Sequence, residues 1–230
     1  MRSWIEFWDS NHAIYVNDRH KQLHAQCVAR DIAQHIRSPS AIVLDYGCGE
    51  ALYAADIASR CRRLILCEAA PSVRAKLAER VAGNPKIEVV DPDGVAALPD
   101  SALDLVIANS LVQYLSRDEL ATLLCRWRQK LKPGGELIVA DVISPEVSPV
   151  TDALALLRFA LSGGFLGAAI FGLMKTAFSN YGKIRAEVGF SMYREEEFLS
   201  LLRTHGYGAG RVQPNFGHNQ TRMAFRGTRT

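Results

Sequence analysis

The sequence predicts a doubly wound α/β fold: a mostly parallel sheet, helices on both faces, and a closing hairpin. Three observations predict it. From Ala41 onward, short β-branched and apolar runs alternate with amphipathic helical patterns, as successive βαβ units require. A glycine-containing turn, Gly47-Cys48-Gly49, directly follows the first run and opens a helical pattern. The tail from Gly210 to Arg229 reads as two strands joined around the polar stretch Asn215-Phe216-Gly217-His218-Asn219-Gln220.

Taken in order, strands are expected at Ala41 to Asp45, Leu64 to Cys67, Ile87 to Val90, Leu103 to Ala108 and Glu136 to Asp141. All are short and apolar, as strands buried on both faces must be. Between them, Val73, Leu77 and Val81 share one helix face, with Gly83-Asn84 as its stop. Ser116 and Glu119 have capping-box spacing, and Leu120, Leu123, Leu124, Trp127 and Leu131 then repeat at helical spacing. Pro133-Gly134-Gly135 is expected to break the chain before the fifth strand. A last helix begins near Arg194 with three glutamates in its first turn, where they suit the helix dipole, and stops at Gly206.

Composition narrows the function classes. The chain has 230 residues, 48% hydrophobic and 22% charged, which suits one α/β domain with a large core. Net charge is +3 and the basic residues are dispersed, so no stripe matches a phosphate backbone and nucleic acid is not expected as a partner. The five cysteines form no CxxC pair, which favours free thiols in a reducing cytoplasm. The N-terminus carries acids and lacks an apolar run with a cleavage site, so it does not read as a secretory signal.

The turn after the first strand lets backbone approach a ligand closely, with helix N-terminal amides facing it. About twenty residues on, Glu68 ends the second strand, where an acid can accept hydrogen bonds from both hydroxyls of a ribose. The pair points to a cofactor bearing a nucleoside. A nicotinamide fingerprint needs a small residue where Leu52 stands, and the bulky side chain opposes it.

On VLDYGCGE, LCEAAP, LDLVIANSLVQYL and LKPGGELIVADV, taken in that order, residues Ile42 to Val142 resemble the class I, Rossmann-like methyltransferases that use S-adenosylmethionine. The family usually has a further glycine where Ala51 stands. The resemblance implies a doubly wound sheet with an antiparallel last strand, S-adenosylmethionine as cofactor and S-adenosylhomocysteine as product. It implies that Asp45, Gly47, Cys48 and Gly49 line the methionine and ribose portion, that Glu68 with Ala69 holds the ribose, and that Asp93 and Gly94 lie near adenine. Asp91 competes with Asp93 for that place. Asn109 and Ser110 would touch the amino-acid moiety. Asp45 would act through water or the ammonium group, or else brace the amides of the turn.

Methyl transfer from a sulfonium is an in-line displacement, so alignment supplies much of the catalysis, and a base is needed only when the acceptor must lose a proton. By the family's topology the hairpin turn lands on the cofactor side, which makes His218 the first candidate base. His12, His20, Tyr15 and Asp141 are the others. The segment Trp4 to His24 resembles the helical lid that such proteins fold over the cofactor, with Tyr15 as its cap. His20 and His24 stand four apart and would suit a metal, but no third ligand has diagnostic spacing, so no metal site is expected.

The layout expected is one domain over 1–230: an N-terminal lid at 1–40, a cofactor-binding core at 41–142, an apolar insertion or cap at 143–192, and the last helix and hairpin at 193–230. Ala153 to Met174 is almost wholly apolar, interrupted by Arg158, Ser162 and Gly163-Gly164. Its length approaches the roughly 20 residues that span a bilayer, but the glycine pair weakens a single helix. It reads as a buried crossover element or dimer contact, a cover over an apolar acceptor, or a membrane-surface element, with Arg158, Lys175, Lys183 and Arg185 flanking it. The expected activity is methyl transfer to oxygen or nitrogen of a small, hydrophobic or lipid-like acceptor in the cytoplasm or at the inner membrane face. A non-catalytic cofactor-binding module and a peripheral lipid methyltransferase are the alternatives.

Overall fold

The structure is a computed structural model that describes residues 4–9, 15–177 and 190–230, so His12, Lys183 and Arg185 lie outside the described residues. After helices α1 (Trp4–Asp9) and α2 (Asp18–His35), the chain alternates β1 (Ile42–Tyr46), α3 (Ala54–Ala58), β2 (Arg63–Cys67), α4 (Pro71–Val81), β3 (Ile87–Val90), α5 (Pro92–Ala97) and β4 (Leu103–Asn109). A 3₁₀ turn at Val112–Tyr114, α6 (Arg117–Lys130) and β5 (Leu131–Val142) follow. Helices α7 (Pro149–Gly163) and α8 (Leu166–Ala177) come next, and α9 (Glu195–Thr204), β6 (Tyr207–Val212) and β7 (Met223–Arg229) end the chain.

The strands form one seven-stranded sheet in the order β3-β2-β1-β4-β5-β7-β6. β1 to β5 are parallel, while β7 runs antiparallel to both β5 and β6. Strand side chains alternate between faces, so each apolar run feeds two cores. On one face Leu44, Ile65, Val106 and Val139 meet Leu120, Leu124 and Trp127 of α6 and Phe198 and Leu202 of α9. On the other, Val43, Leu64, Ile107 and Ala140 meet Ile32 of α2, Ile57 of α3 and Leu77 of α4. The predicted capping box at Ser116 and Glu119 is formed, with the Ser116 hydroxyl accepting from the Glu119 amide at 3.2 Å.

Two boundaries differ from expectation. Pro133-Gly134-Gly135 does not precede β5 but lies within it, because the register shifts between Leu103 and Leu105 and Gly134 adopts φ +75°. The apolar stretch is not one element: α7 ends at Gly163, and Gly164 caps it in the left-handed region at φ +75°. Among the described residues no helix is long and apolar enough to cross a membrane.

Two glycines of these helices, Gly163 and Gly172, allow close packing. A side chain at Gly163 would strike Leu23 and Phe165, and one at Gly172 would strike Val16. Ala160, Phe165 and Ala169 thereby form a small third core with Leu23 and Phe159, which seats α7 and α8 on α2.

Candidate functional site

The turn after β1 is held by the strand beside it. The amides of Gly47 and Cys48 both donate to the Cys67 carbonyl, at 2.8 and 3.1 Å. Gly47 sits at φ +75° and Gly49 at φ +58°, where a side chain is strained, and a Cβ on Gly47 would press Leu111 at 3.0 Å. Ala51, in the place of the family's further glycine, also takes a positive φ of 40°.

Glu68 braces the turn. Its two carboxylate oxygens accept from the Gly49 amide at 2.9 Å and the Ala70 amide at 2.8 Å, which fixes the carboxylate while leaving lone pairs free. Asp45 lies beside it, 6% exposed, and burial followed by the Glu68 charge raises its pKa to about 7.

These residues open onto a cavity of about 1710 Å³, lined by Asp45, Gly47, Cys48, Gly49, Glu68 and Ala69 at one end and by Tyr15, His20, His24, Asp141 and His218 at the other. Pockets for one drug-sized ligand run to roughly 1,000 Å³, so the space suits a cofactor and an acceptor together. Asn109 and Ser110 line it at the carboxyl end of β4. Pro92 also lines it, whereas Asp93 is exposed and is not among the lining residues. Gly94 is likewise not among them, and its amide donates to Asp91, which caps α5 instead. Asn109 Oδ1 and Gln113 Oε1 are buried with no hydrogen-bond partner among the described residues. Such orphaned acceptors beside a cavity fit a ligand that donates N–H or O–H groups. The residues present therefore suit an aminoacyl nucleoside cofactor: two glycines at positive φ, a braced acid at the ribose position and unpaired acceptors beyond it.

The opposite end is built by five elements: β4, β5, the β6–β7 connection, α2 and α7. Ser110 and Asp141, at the ends of β4 and β5, both take positive φ, at 54° and 61°, and the Ser110 hydroxyl donates to Asp141 at 2.8 Å. Burial raises the Asp141 carboxyl above its ordinary range, while Arg222 and the Ser110 hydroxyl oppose the shift. The β6–β7 connection brings His218 to His24 of α2, Nδ1 to Nδ1 at 3.3 Å. Phe159 of α7 stacks on the His218 ring at 4.3 Å and 12°. His20 stacks on Phe165 at 5.2 Å and 16°, and the Tyr15 ring meets His20 edge-on. Burial holds all three histidines neutral, with pKa about 4 for His20 and His24 and about 3 for His218, and it pushes Tyr15 up to about 12. Among the described residues no group of three or more ligating side chains is arranged to hold a metal.

A salt bridge ties cover to loop. Asp152 of α7 accepts from Arg222 Nη2 at 2.6 Å and from Asn219 Nδ2 at 2.9 Å, and both partners belong to the β6–β7 connection. At the other side α1 closes over the cavity, with Trp4 and Trp8 against Tyr114 and the Ser72 amide donating to Asp9 at 2.7 Å. Sequence reasoning named His218, His20, Tyr15 and Asp141 but missed the partnership of His24 with His218, and it missed Phe159, Asp152 and Arg222. Those two histidines are 194 residues apart, and only the folded sheet brings them together.

Comparison with known proteins agrees with this geometry. Residues 44–139 match the family described as a methyltransferase domain. Uncharacterized methyltransferases of Mycobacterium bovis and Mycobacterium tuberculosis are 30% identical over 106 residues, which is 46% of this chain and 52% of theirs. The chain thus spans about half the length of those curated relatives. Among solved structures, PigF with S-adenosylhomocysteine aligns over 98% of this chain and 62% of its own, with TM-score 0.63 and 18% identity. The magnesium protoporphyrin IX methyltransferase of Synechocystis, also with bound S-adenosylhomocysteine, aligns over 99% and 92%, with TM-score 0.57 and 15% identity.

Proposed function

This chain carries a class I, S-adenosylmethionine-dependent methyltransferase domain, and from that premise we propose that it methylates an oxygen or nitrogen of a small, apolar acceptor held beneath α7. The observation that carries the reading is the single cavity that runs from the Gly47 turn and Glu68 to His218 and Tyr15. It gives the cofactor a polar end and the acceptor an aromatic one.

When bound, the cofactor supplies a sulfonium methyl whose carbon–sulfur bond breaks as the acceptor's lone pair bonds to carbon, leaving the electron pair on sulfur in S-adenosylhomocysteine. The chain's own part is orientation, exclusion of water and removal of a proton. Glu68 and the amides after β1 fix one end, and Asn109 and Gln113 offer unpaired oxygens to donors. His218 lines the cavity with its ring neutral, so a nitrogen lone pair is available to the acceptor's proton, although the burial that keeps the ring neutral also lowers its basicity. Tyr15 and His20 form the wall beside it, and Asp141 is engaged by Ser110.

Incubation with methyl-labelled cofactor and a metabolite and lipid extract tests the reading, with the labelled product identified by mass. S-adenosylhomocysteine formation that depends on the extract and falls in the Glu68→Ala variant at limiting cofactor is expected. Cofactor binding without product from any extract would instead make the chain a non-catalytic module.

One observation favours a second reading, a peripheral membrane enzyme acting on lipid. Val150, Leu154 and Leu161 of α7 and Ile170, Phe171 and Met174 of α8 are exposed, which leaves an apolar face outward on the cover itself. Flotation with lipid vesicles separates the two, because a small-molecule enzyme stays in the unbound fraction.

A further inference from the structure

We propose that His24 is a positioning residue that fixes the tautomer of His218, leaving the Nε2 lone pair of His218 as the proton acceptor of the reaction. The inference rests on the reading of His218 as base. It starts from one contact: His24 Nδ1 and His218 Nδ1 lie 3.3 Å apart, and both rings line the cavity.

A hydrogen bond between two ring nitrogens needs one hydrogen and one lone pair. Each neutral imidazole carries a single N–H, so the ring that donates from Nδ1 keeps a bare Nε2, and the ring that accepts at Nδ1 must carry its hydrogen on Nε2. The pair therefore presents one Nε2 acceptor and one Nε2–H donor, never two of either. Only the arrangement in which His218 donates to His24 leaves a lone pair on His218. With the roles reversed, the only bare nitrogen of His218 is spent on His24.

The neighbours hold the two rings in contact, and the choice of donor is the proposal's own. Phe159 covers one face of the His218 ring, and the Gly217 amide before it donates to Asp31 of α2 at 2.8 Å, so the loop cannot turn the ring freely. The other titratable and charged groups near the pair are His20, Tyr15, Asp141 and Arg222, and Arg222 is already paired with Asp152. His20 accepts from the Val16 amide at its own Nδ1, so its proton sits on Nε2 and that Nδ1 is not available to the pair.

When an acceptor X–H reacts, the X–H bond breaks, its proton passes to His218 Nε2 and its electron pair stays on X to form the bond to methyl. His218 becomes imidazolium, and its Nδ1–H bond to His24 becomes charge-assisted and stronger at the moment the charge appears. The proton then leaves to solvent.

The test is nitrogen NMR on the full chain labelled at its six histidines, with S-adenosylhomocysteine added, near neutral pH. Single substitutions assign the signals. His218 is expected to show a protonated Nδ1 and a bare Nε2, with His24 the reverse. His24→Asn keeps an oxygen acceptor near the place of Nδ1 and should retain the His218 pattern, whereas His24→Phe keeps the ring but accepts nothing and should release His218 to the Nε2–H form. A packing role alone predicts the opposite ranking, with Phe better than Asn. His218 found with hydrogen on Nε2 in the parent overturns the proposal, and so does an unchanged His218 pattern in His24→Phe. The parent signal decides the matter even if a variant fails to fold. Because no acceptor is present, a failure of the base reading would show separately, as turnover undiminished in His218→Ala, and a failure of the methyl-transfer reading as no product from any extract.

Discussion

Glu68 does two tasks with one carboxylate: it ties the Gly49 and Ala70 amides together across the site and faces the cavity where a ribose diol would lie. Hydrogen bonds to a charged group are worth about 1.5–3 kcal/mol, so Glu68→Ala should weaken S-adenosylhomocysteine binding about ten- to hundredfold by calorimetry. Unchanged affinity in a folded variant would remove the ribose assignment. Asp45 and the histidines make stability depend on pH in opposite directions. His20, His24 and His218 are depressed to about 4, about 4 and about 3, so the unfolded chain binds protons that the folded one refuses. Their stabilisation is complete above roughly pH 6.5 and is lost as pH falls towards 4. Asp45, raised to about 7, works the other way, since its contribution falls as pH rises from roughly 4 to 7. Burial also raises Asp141 and lowers His35, one in each direction, so the histidines still outweigh the aspartates and urea unfolding should show lower stability at about pH 5 than at about pH 8. Asp45→Asn should widen that difference by stabilising the protein more at the higher pH than at the lower, and His218→Asn should narrow it.

At the scale of elements, α7 is held to the β6–β7 connection by the Asp152–Arg222 pair, whose side chains are 22% and 12% exposed. Solvent screens the pair in part, so Asp152→Asn should cost about 1–3 kcal/mol in denaturant unfolding and speed proteolytic cleavage within α7. Equal stability and cleavage rates in the two proteins would show that α7 is seated by its apolar contacts alone. Much of this scale was legible in the sequence. The β-strands announced themselves because parallel strands covered on both faces must be apolar throughout, and the capping box announced α6 through two residues at fixed spacing. The hairpin was legible from its polar turn, and the resemblance to the methyltransferase family placed His218 on the cavity side of the sheet, where it lies. What stayed hidden depends on contacts between distant segments. No pattern in Asp152 foretells Arg222, 70 residues away, and the i, i+4 spacing of His20 and His24 reads as a solvated helix face, whereas His20 is buried and His24 meets a partner at the far end of the chain. Asp93 and Gly94 do not line the cavity; Asp91 caps α5 through the Gly94 amide, and Pro92 is the residue of that turn that faces it.

For the molecule as a whole, the cover has two apolar faces with separate duties. Phe159 and Phe165 point to the histidines, while Leu161 and Phe171 are 69% and 66% exposed on the outside. Leu161→Glu with Phe171→Glu should therefore leave S-adenosylhomocysteine affinity within about twofold and abolish any retention on vesicles, whereas Phe159→Ala should lower turnover without moving cofactor affinity. A double variant that loses cofactor binding would show that the outer face supports the fold rather than meeting a partner. The Asp152 anchor and the Phe159 stack have a joint consequence in time. Both attach α7 to the loop that carries His218, so any displacement of α7 would carry that loop with it. On the proposed reading of His218 as base, removal of the acceptor's proton would then be coupled to enclosure of the acceptor beneath α7.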